Sequence, residues 1–175
     1  DPHFIPDSLH LTSFNKIWSV TDLEINRHIE DFQIDQKIDL REENIYAWPG
    51  RGNPHFAEFN GFNLLESDYE LADFKDFNGD GIYNPDDGDY PHHKSTGSKN
   101  NPSILHYTVF HHLEEDFRAE FGLHVWAWDC PENRLLHSGL FASVRLVNRS
   151  AYDWQNTRLC MFFDFDIGCW EDDYI

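Results

Sequence analysis

The stretch Glu120-Phe-Gly-Leu-His-Val-Trp-Ala-Trp-Asp129 is rich in β-branched and aromatic residues, which favours an extended strand. Its two alternating sets of side chains are both largely apolar. Because successive side chains of a strand point to opposite faces of the sheet, this pattern predicts a strand that is covered on both sides.

Three further runs in the C-terminal half have a similar composition: Ile104–His112, Gly139–Asn148 and Thr157–Asp166. They recur at intervals typical of an antiparallel sheet, and Asp129–Asn133 is rich in turn-forming residues between two of them. The sequence therefore predicts a mainly β fold, an antiparallel, sandwich-like domain.

The N-terminal half predicts one short helix in otherwise irregular structure. Thr21-Asp-Leu-Glu24 has the form of a capping box, with a hydroxyl residue first and a carboxylate three residues later. Ile25, Ile29 and Phe32 then recur at the spacing of one helical face, which predicts a helix over residues 22–32.

Residues 44–63 and 73–103 are dense in Gly, Pro, Asn and Asp and are expected to be loops. We divide the chain into an irregular region, 1–103, and a β region, 104–175, and expect them to form one continuous domain.

The composition limits the classes of partner. The 175 residues include 13 Lys and Arg against 32 Asp and Glu, a net charge of −19. This balance disfavours nucleic acid and anionic membrane surfaces, because binding to a phosphate backbone needs clustered cations. No apolar run approaches the roughly 20 residues that a membrane span requires, so no membrane insertion is expected.

The strongest functional signal is Asp76-Phe-Asn-Gly-Asp-Gly-Ile-Tyr-Asn-Pro-Asp-Asp87, within residues 76–91. It fits the calcium-loop pattern D-x-[DN]-x-[DN]-G with an acidic residue at the twelfth place. Ca²⁺ takes six to eight oxygen ligands from a tightly curled chain. The predicted ligands are the side chains of Asp76, Asn78, Asp80, Asn84 and Asp87, the backbone carbonyl of Ile82 and, as a supplement, Asp89.

Two departures separate this loop from an EF-hand. The closing Asp87 is one methylene shorter than the usual Glu, and Tyr90-Pro91 interrupts any following helix. Without paired helices, a bound ion is expected to order the loop and not to expose a peptide groove. An ordinary Asp/Gly turn is the alternative.

A second acidic cluster lies near the C-terminus, and its members are Asp164, Asp166, Asp172 and Asp173. The first two share one face of a predicted strand, where like charges are unfavourable unless a cation compensates them. Either a second ion site or a solvated strand end fits this pattern.

Other chemistries have weaker signals. The 11 histidines include the adjacent pairs His92-His93 and His111-His112, whose members point to opposite faces of a strand, and there is no His-Glu-x-x-His or Cys-x-x-Cys. The sequence therefore argues against a zinc site. No serine or cysteine has a recognisable nucleophile context, so no enzymatic activity is expected. Tryptophans that could stack on sugar rings are Trp48, Trp126, Trp128, Trp154 and Trp170.

The run Asp76–Pro91 resembles a signature of large surface proteins exported by the type IX secretion system, and it is similar to the calcium loops of dockerins and thrombospondin type 3 repeats. Weaker segments agree in the family's order: Phe14–Trp18, Trp48–Asn53, Val147–Ser150 and Asp164–Tyr174. The resemblance implies an extracellular or cell-surface location and a longer parent protein with a sorting domain.

The resemblance also implies a further cysteine beyond Ile175, which would make the odd set of Cys130, Cys160 and Cys169 even and suit disulfides in an oxidising setting. We therefore expect a non-enzymatic, calcium-binding extracellular domain with a structural or adhesive role, whose partners are surface polysaccharides or other surface proteins. The alternatives are a carbohydrate-binding module and, with less support, a metal-dependent hydrolase that uses the second acidic cluster.

Overall fold

The computed structural model describes residues 13–64, 71–96, 101–114 and 117–160. It contains a four-stranded and a two-stranded antiparallel sheet, so the expected mainly β fold is confirmed. The elements in chain order are β1 (Ile17–Thr21), α1 (Asp22–Asp35), α2 (Glu43–Tyr46), α3 (Phe56–Asn60), β2 (Phe74–Lys75), β3 (Tyr90–Pro91), β4 (Ile104–Glu114), β5 (Phe117–Ala127), α4 (Arg134–His137) and β6 (Phe141–Asn148). None of the described helices combines the length and apolar character of a membrane span.

The larger sheet has the order β1-β4-β5-β6. Strands β4, β5 and β6 correspond to three of the four predicted runs. Strand β1, which pairs with β4 at the sheet edge, was not predicted from the sequence. The fourth predicted strand, Thr157–Asp166, is wrong for residues 157–160, which lie outside any strand, and its remainder falls outside the described residues.

The predicted helix is confirmed as α1. Thr21 Oγ1 accepts a hydrogen bond from the Glu24 amide, and the Glu24 carboxylate accepts one from the Thr21 amide at 2.8 Å. The helix ends at Gln36, which adopts a left-handed conformation. The expectation of only one helix in an otherwise irregular N-terminal half is wrong, because short helices α2 and α3 form there as well.

The core lies between one face of the larger sheet and the N-terminal half. Its side chains come from both regions and include Phe14, Ile45, Trp48, Tyr83, Leu105 and Tyr107, each no more than 1 % exposed. Burying a large apolar side chain contributes about 1.5–3 kcal/mol, so these contacts hold the two regions together.

The opposite face of the sheet is covered less completely by the residues that the structure describes. On β5, His124 and Trp126 are buried on the inner face, whereas Leu123 and Val125 on the outer face are half-buried. Phe110 on the outer face of β4 is 48 % exposed. Within the described residues, β5 is therefore buried fully on one face only, contrary to the expectation of cover on both.

Gly88 gives a test of the contact between α1 and the segment before β3. Gly88 has a φ of +89°, and a Cβ there would lie 2.5 Å from Phe32 Cε1, whereas Gly61, with a φ of +76°, has open space around it. Both alanine variants carry the cost of a left-handed residue, about 1–2 kcal/mol. We expect Gly88→Ala to lose about 1–3 kcal/mol more than Gly61→Ala, because of overpacking. Urea unfolding measures the difference, and equal losses would contradict this packing.

Candidate functional site

The acidic loop spans residues 76–89 and lies between β2 and β3, which pair through Phe74 with Pro91 and Lys75 with Tyr90. Tyr83, near the middle of the loop, is fully buried and packs in the core. The Tyr83 hydroxyl donates to the Ile45 carbonyl at 2.8 Å, and the Tyr83 amide donates to the Arg51 carbonyl at 2.7 Å. The loop is therefore held in place at its middle as well as at its ends.

The first half of the acidic loop curls around the carboxylate of Asp76. One carboxylate oxygen accepts from the Gly79 amide at 2.6 Å, and the other accepts from the Gly81 amide at 2.8 Å. Gly81, at the sixth place of the calcium-loop pattern, has a φ of +79°, a conformation that glycine adopts readily and other residues rarely do. The tight turn that the pattern requires is thus formed.

Asp89 is the buried last residue of the acidic loop. Its carboxylate is fully buried and accepts from the Phe77 amide at 2.7 Å and from the Asn84 amide at 2.9 Å. Burial raises the pKa of Asp89; the two amides oppose this rise, and the charges of Asp76 and Asp80 add to it. Residues 76–91 contain no Lys or Arg, so no cationic Lys or Arg of the loop itself offsets the negative charge of these carboxylates.

Two neighbouring aspartates of the loop have different surroundings. Asp86 accepts from the Tyr46 hydroxyl and lies 2.9 Å from His55 Nε2 and 3.6 Å from the Arg41 guanidinium, so it ties the loop to the helical region. Asp87 accepts from the Asn84 amide group at 2.7 Å. Asp87, the closing ligand predicted from the sequence, is therefore not held by the contacts that anchor Asp86 to the helical region.

The predicted calcium ligands lie in one loop, but their side chains hydrogen-bond to one another and to the loop backbone. The Asn78 side-chain amide donates to Asp80 Oδ2 at 3.0 Å, and Asp80 Oδ1 accepts from the Ile82 amide at 2.8 Å. Binding of an ion would require the Asn78 and Asn84 amide groups to turn so that their oxygens face it. The backbone therefore already has the curl that calcium binding requires, whereas the side-chain oxygens are not arranged around a common ion position.

A different group of side chains has the spacing of metal ligands. Asp73, His93 and His124 each offer one ligand atom, and these atoms lie within 4.8 Å of one another, the only such trio of His, Cys, Asp or Glu among the described residues. His93 Nδ1 is 2.8 Å from Asp73 Oδ2. His124 Nε2 accepts from the Asp73 amide at 3.2 Å, and the two imidazole centroids are 4.4 Å apart.

Burial and charge shift the pKa values of Asp73 and His124. His93 and His124 are 6 % and 5 % exposed. Burial, with the charges of His93 and Arg145, lowers the pKa of His124 to about 3. Burial alone would raise the pKa of Asp73, but its hydrogen bond to His93 and the charges of His124, His93 and Lys94 lower it to about 2. At neutral pH, Asp73 is therefore ionised and His124 is neutral.

The trio borders a cavity of about 220 Å³, lined further by Lys94, Tyr107, Ser143 and Arg145. Asp73 and Lys94 also border a neighbouring cavity of about 210 Å³, whose wall includes Asp76 and Gly81. The acidic loop and the trio are thus adjacent parts of one region of the molecule.

The trio was not predicted from the sequence. Asp73 precedes β2, His93 follows β3 and His124 lies on β5, so their sequence spacing matches no zinc motif. The sequence shows the adjacent pair His92-His93, but it does not show that the fold brings His93 next to Asp73 and His124.

Several other predicted residues lie elsewhere. The second acidic cluster, Asp164, Asp166, Asp172 and Asp173, lies outside the described residues, as do Cys169 and Trp170. Cys130 and Cys160 form no disulfide within the part of the chain that the structure describes. Trp48 and Trp126 are core residues at 0 % and 5 % exposure and cannot form a sugar platform, whereas Trp128 and Trp154 are half-buried.

No family model, no curated protein and no solved structure matches this chain.

His28, buried in α1 beside the acidic loop, makes the stability depend on pH. Burial lowers its pKa, and this effect outweighs the Asp89 backbone and the charges of Asp31 and Asp86. The unfolded chain, with a histidine pKa near 6.5, binds the proton more readily, so stability is expected to fall as the pH drops below about 6.5.

We expect His28→Gln to reduce the slope of unfolding free energy against pH between pH 7 and 5.5 by up to about 1.4 kcal/mol per pH unit. Urea unfolding at several pH values measures this slope. His137→Gln, at a side chain that is 47 % exposed, serves as the matched control and should leave the slope unchanged. An unaltered slope in His28→Gln would contradict the assignment.

Proposed function

We propose that this chain is a non-enzymatic domain of an extracellular or cell-surface protein, and that one Ca²⁺ ion bound by the acidic loop stabilises it. The observation that carries the proposal is the curl of residues 76–81 around the Asp76 carboxylate. It combines with a run of oxygen-bearing side chains at the places that the calcium-loop pattern requires.

The surroundings of the loop support a cation in this place. The carboxylates of Asp76, Asp80 and Asp89 lie close enough for their charges to influence one another, and Asp89 is fully buried. A divalent cation would offset this repulsion, which the loop's own residues do not. The anchors at Tyr83 and Asp86 hold the loop to the rest of the domain, whereas the hydrogen bonds of the Asp76, Asp80 and Asp87 carboxylates stay within the loop.

The proposed role of the ion is structural. An ion that binds only the folded form stabilises it by RT ln(1 + [L]/Kd), and no helix pair flanks the loop to convert binding into a switch. The extracellular location and the surface partners, a polysaccharide or another surface protein, have their support in the sequence resemblance given above.

A carbohydrate-binding module is supported less well, because Trp48 and Trp126 are core residues. A hydrolase that uses the second acidic cluster has no support from the described residues.

Calcium should raise the thermal stability of the wild-type protein. For an extracellular module with a Kd of about 10⁻⁴–10⁻³ M, about 10 mM Ca²⁺ adds roughly 1.4–2.7 kcal/mol, or about 3–11 °C in Tm, relative to excess chelator. Asp76→Asn should lose most of this increment, because it removes the charge of the first ligand. Asp153→Asn, at an exposed aspartate outside the loop, should retain it. An equal Tm with calcium and with chelator in the wild type would contradict the proposal.

Calcium should also protect residues 73–91 from proteolysis. Digestion with a broad-specificity protease, followed by mass spectrometry, should give cuts in this segment with chelator and fewer with calcium. Cleavage near α4, whose Leu135 is 86 % exposed, provides the internal control and should not depend on calcium. Identical digestion patterns in the two conditions would count against an ion in the loop.

A further inference from the structure

We infer that Asp73, His93 and His124 form a binding site for one divalent transition-metal ion, with Zn²⁺ as its representative, distinct from the calcium loop. The trio combines two imidazoles and one carboxylate at the spacing of ligands around a single ion. Imidazole nitrogen suits Zn²⁺, Cu²⁺, Ni²⁺ and iron, whereas Ca²⁺ prefers oxygen alone. The two sites would therefore select different metals.

The distances within the trio suit a shared ion. Ligand atoms bound tetrahedrally at about 2.0–2.2 Å to one Zn²⁺ lie about 3.3–3.6 Å apart. The three ligand atoms of the trio lie within 4.8 Å of one another, and His93 Nδ1, now 2.8 Å from Asp73 Oδ2, would move away from it only slightly. His124 Nε2 accepts from the Asp73 amide at 3.2 Å, the long end of the usual range. A metal ion would replace this one long hydrogen bond at His124.

The hydrogen bonding of His93 is incomplete. Its side chain is 7 % exposed, and its Nε2 has no hydrogen-bond partner among the described residues. Nε2 points away from Asp73, so Nδ1, which faces the Asp73 carboxylate, is the atom that would bind the shared ion. The ring is held between neighbours, with the centroid of Trp126 at 4.8 Å and that of His124 at 4.4 Å, so its orientation is fixed before any ion binds.

Two cationic side chains lie beside the trio. Lys94 and Arg145 line the same cavity. The Arg145 guanidinium is offset by Glu120 at 3.7 Å and donates to the Leu71 carbonyl at 3.1 Å.

Three protein ligands leave at least one coordination position for water or a small anion. The cavity of about 220 Å³ beside the trio has room for it, and the charges of Lys94 and Arg145 favour an anionic ligand there. The site thus keeps the open coordination position that closed, four-ligand structural zinc sites lack.

The test is Zn²⁺ titration of the full chain in excess Ca²⁺, by competition with a chromophoric chelator. We expect one Zn²⁺ per chain in the wild type and in Asp76→Asn, which separates this site from the calcium loop. Loss of an outer partner alone weakens metal affinity about 10–100-fold, so His93→Gln and His124→Gln should weaken it at least that much. His137→Gln, with its exposed side chain, is the matched control and should bind as the wild type does.

An absence of stoichiometric Zn²⁺ in the wild type, or wild-type affinity in both His93→Gln and His124→Gln, would overturn the inference. If these variants do not fold, X-ray absorption spectroscopy of the Zn²⁺-loaded wild type provides the test instead. Scattering from two imidazoles together with oxygen ligands is expected. A spectrum with oxygen ligands only would overturn the assignment.

Discussion

The buried carboxylate of Asp89 connects the start of the acidic loop to its second half, because one oxygen accepts from the Phe77 amide and the other from the Asn84 amide. Gly88, next to it, packs directly against the Phe32 ring of α1, and Phe32 in turn contacts Phe77 with ring centroids 5.2 Å apart. The Asp89 carboxylate and the Gly88–Phe32 contact thus act at the same point of the chain, just before β3. A substitution of Asp89 would leave the Phe77 and Asn84 amides without this acceptor.

The side-chain contacts matter because the strands around the loop are short. β2 and β3 have two residues each, and an isolated two-stranded sheet is marginally stable at best in water. Order in this region comes instead from buried polar groups, namely Asp89, the Tyr83 hydroxyl and the pair of Asp73 with His93. These same groups bring the trio of Asp73, His93 and His124 beside the acidic loop. The predicted calcium ligands and the trio are therefore adjacent because the same buried groups position both.

Local sequence signals predicted the elements that depend on local interactions. The capping box of Thr21 and Glu24 gives the start of α1, and the β-branched and aromatic runs give β4, β5 and β6. Strand β1 was missed because its five residues are stabilised by pairing with β4, in which Ile17 lies opposite Thr108, far along the chain. The strand predicted at the end of the β region does not form at residues 157–160, because strand-forming composition alone does not supply a neighbouring strand to pair with.

The same distinction applies to the sites. The acidic loop could be identified from sequence because its ligands are consecutive along the chain. The hydrogen bonds between Asn78 and Asp80, and between Asn84 and Asp87, could not be, since they depend on side-chain rotation. The trio was missed because its members come from segments that only the tertiary structure brings together.

A crystal structure of the full chain grown with calcium would test the central claim most directly. We predict one ion in the acidic loop. Oxygens of Asp76, Asn78 and Asp80 and the Ile82 carbonyl oxygen should lie at about 2.3–2.6 Å from it. The Asn78 and Asn84 side chains would be turned so that their oxygens face the ion. A loop that keeps its present hydrogen bonds, with no ion bound at saturating calcium, would contradict the claim.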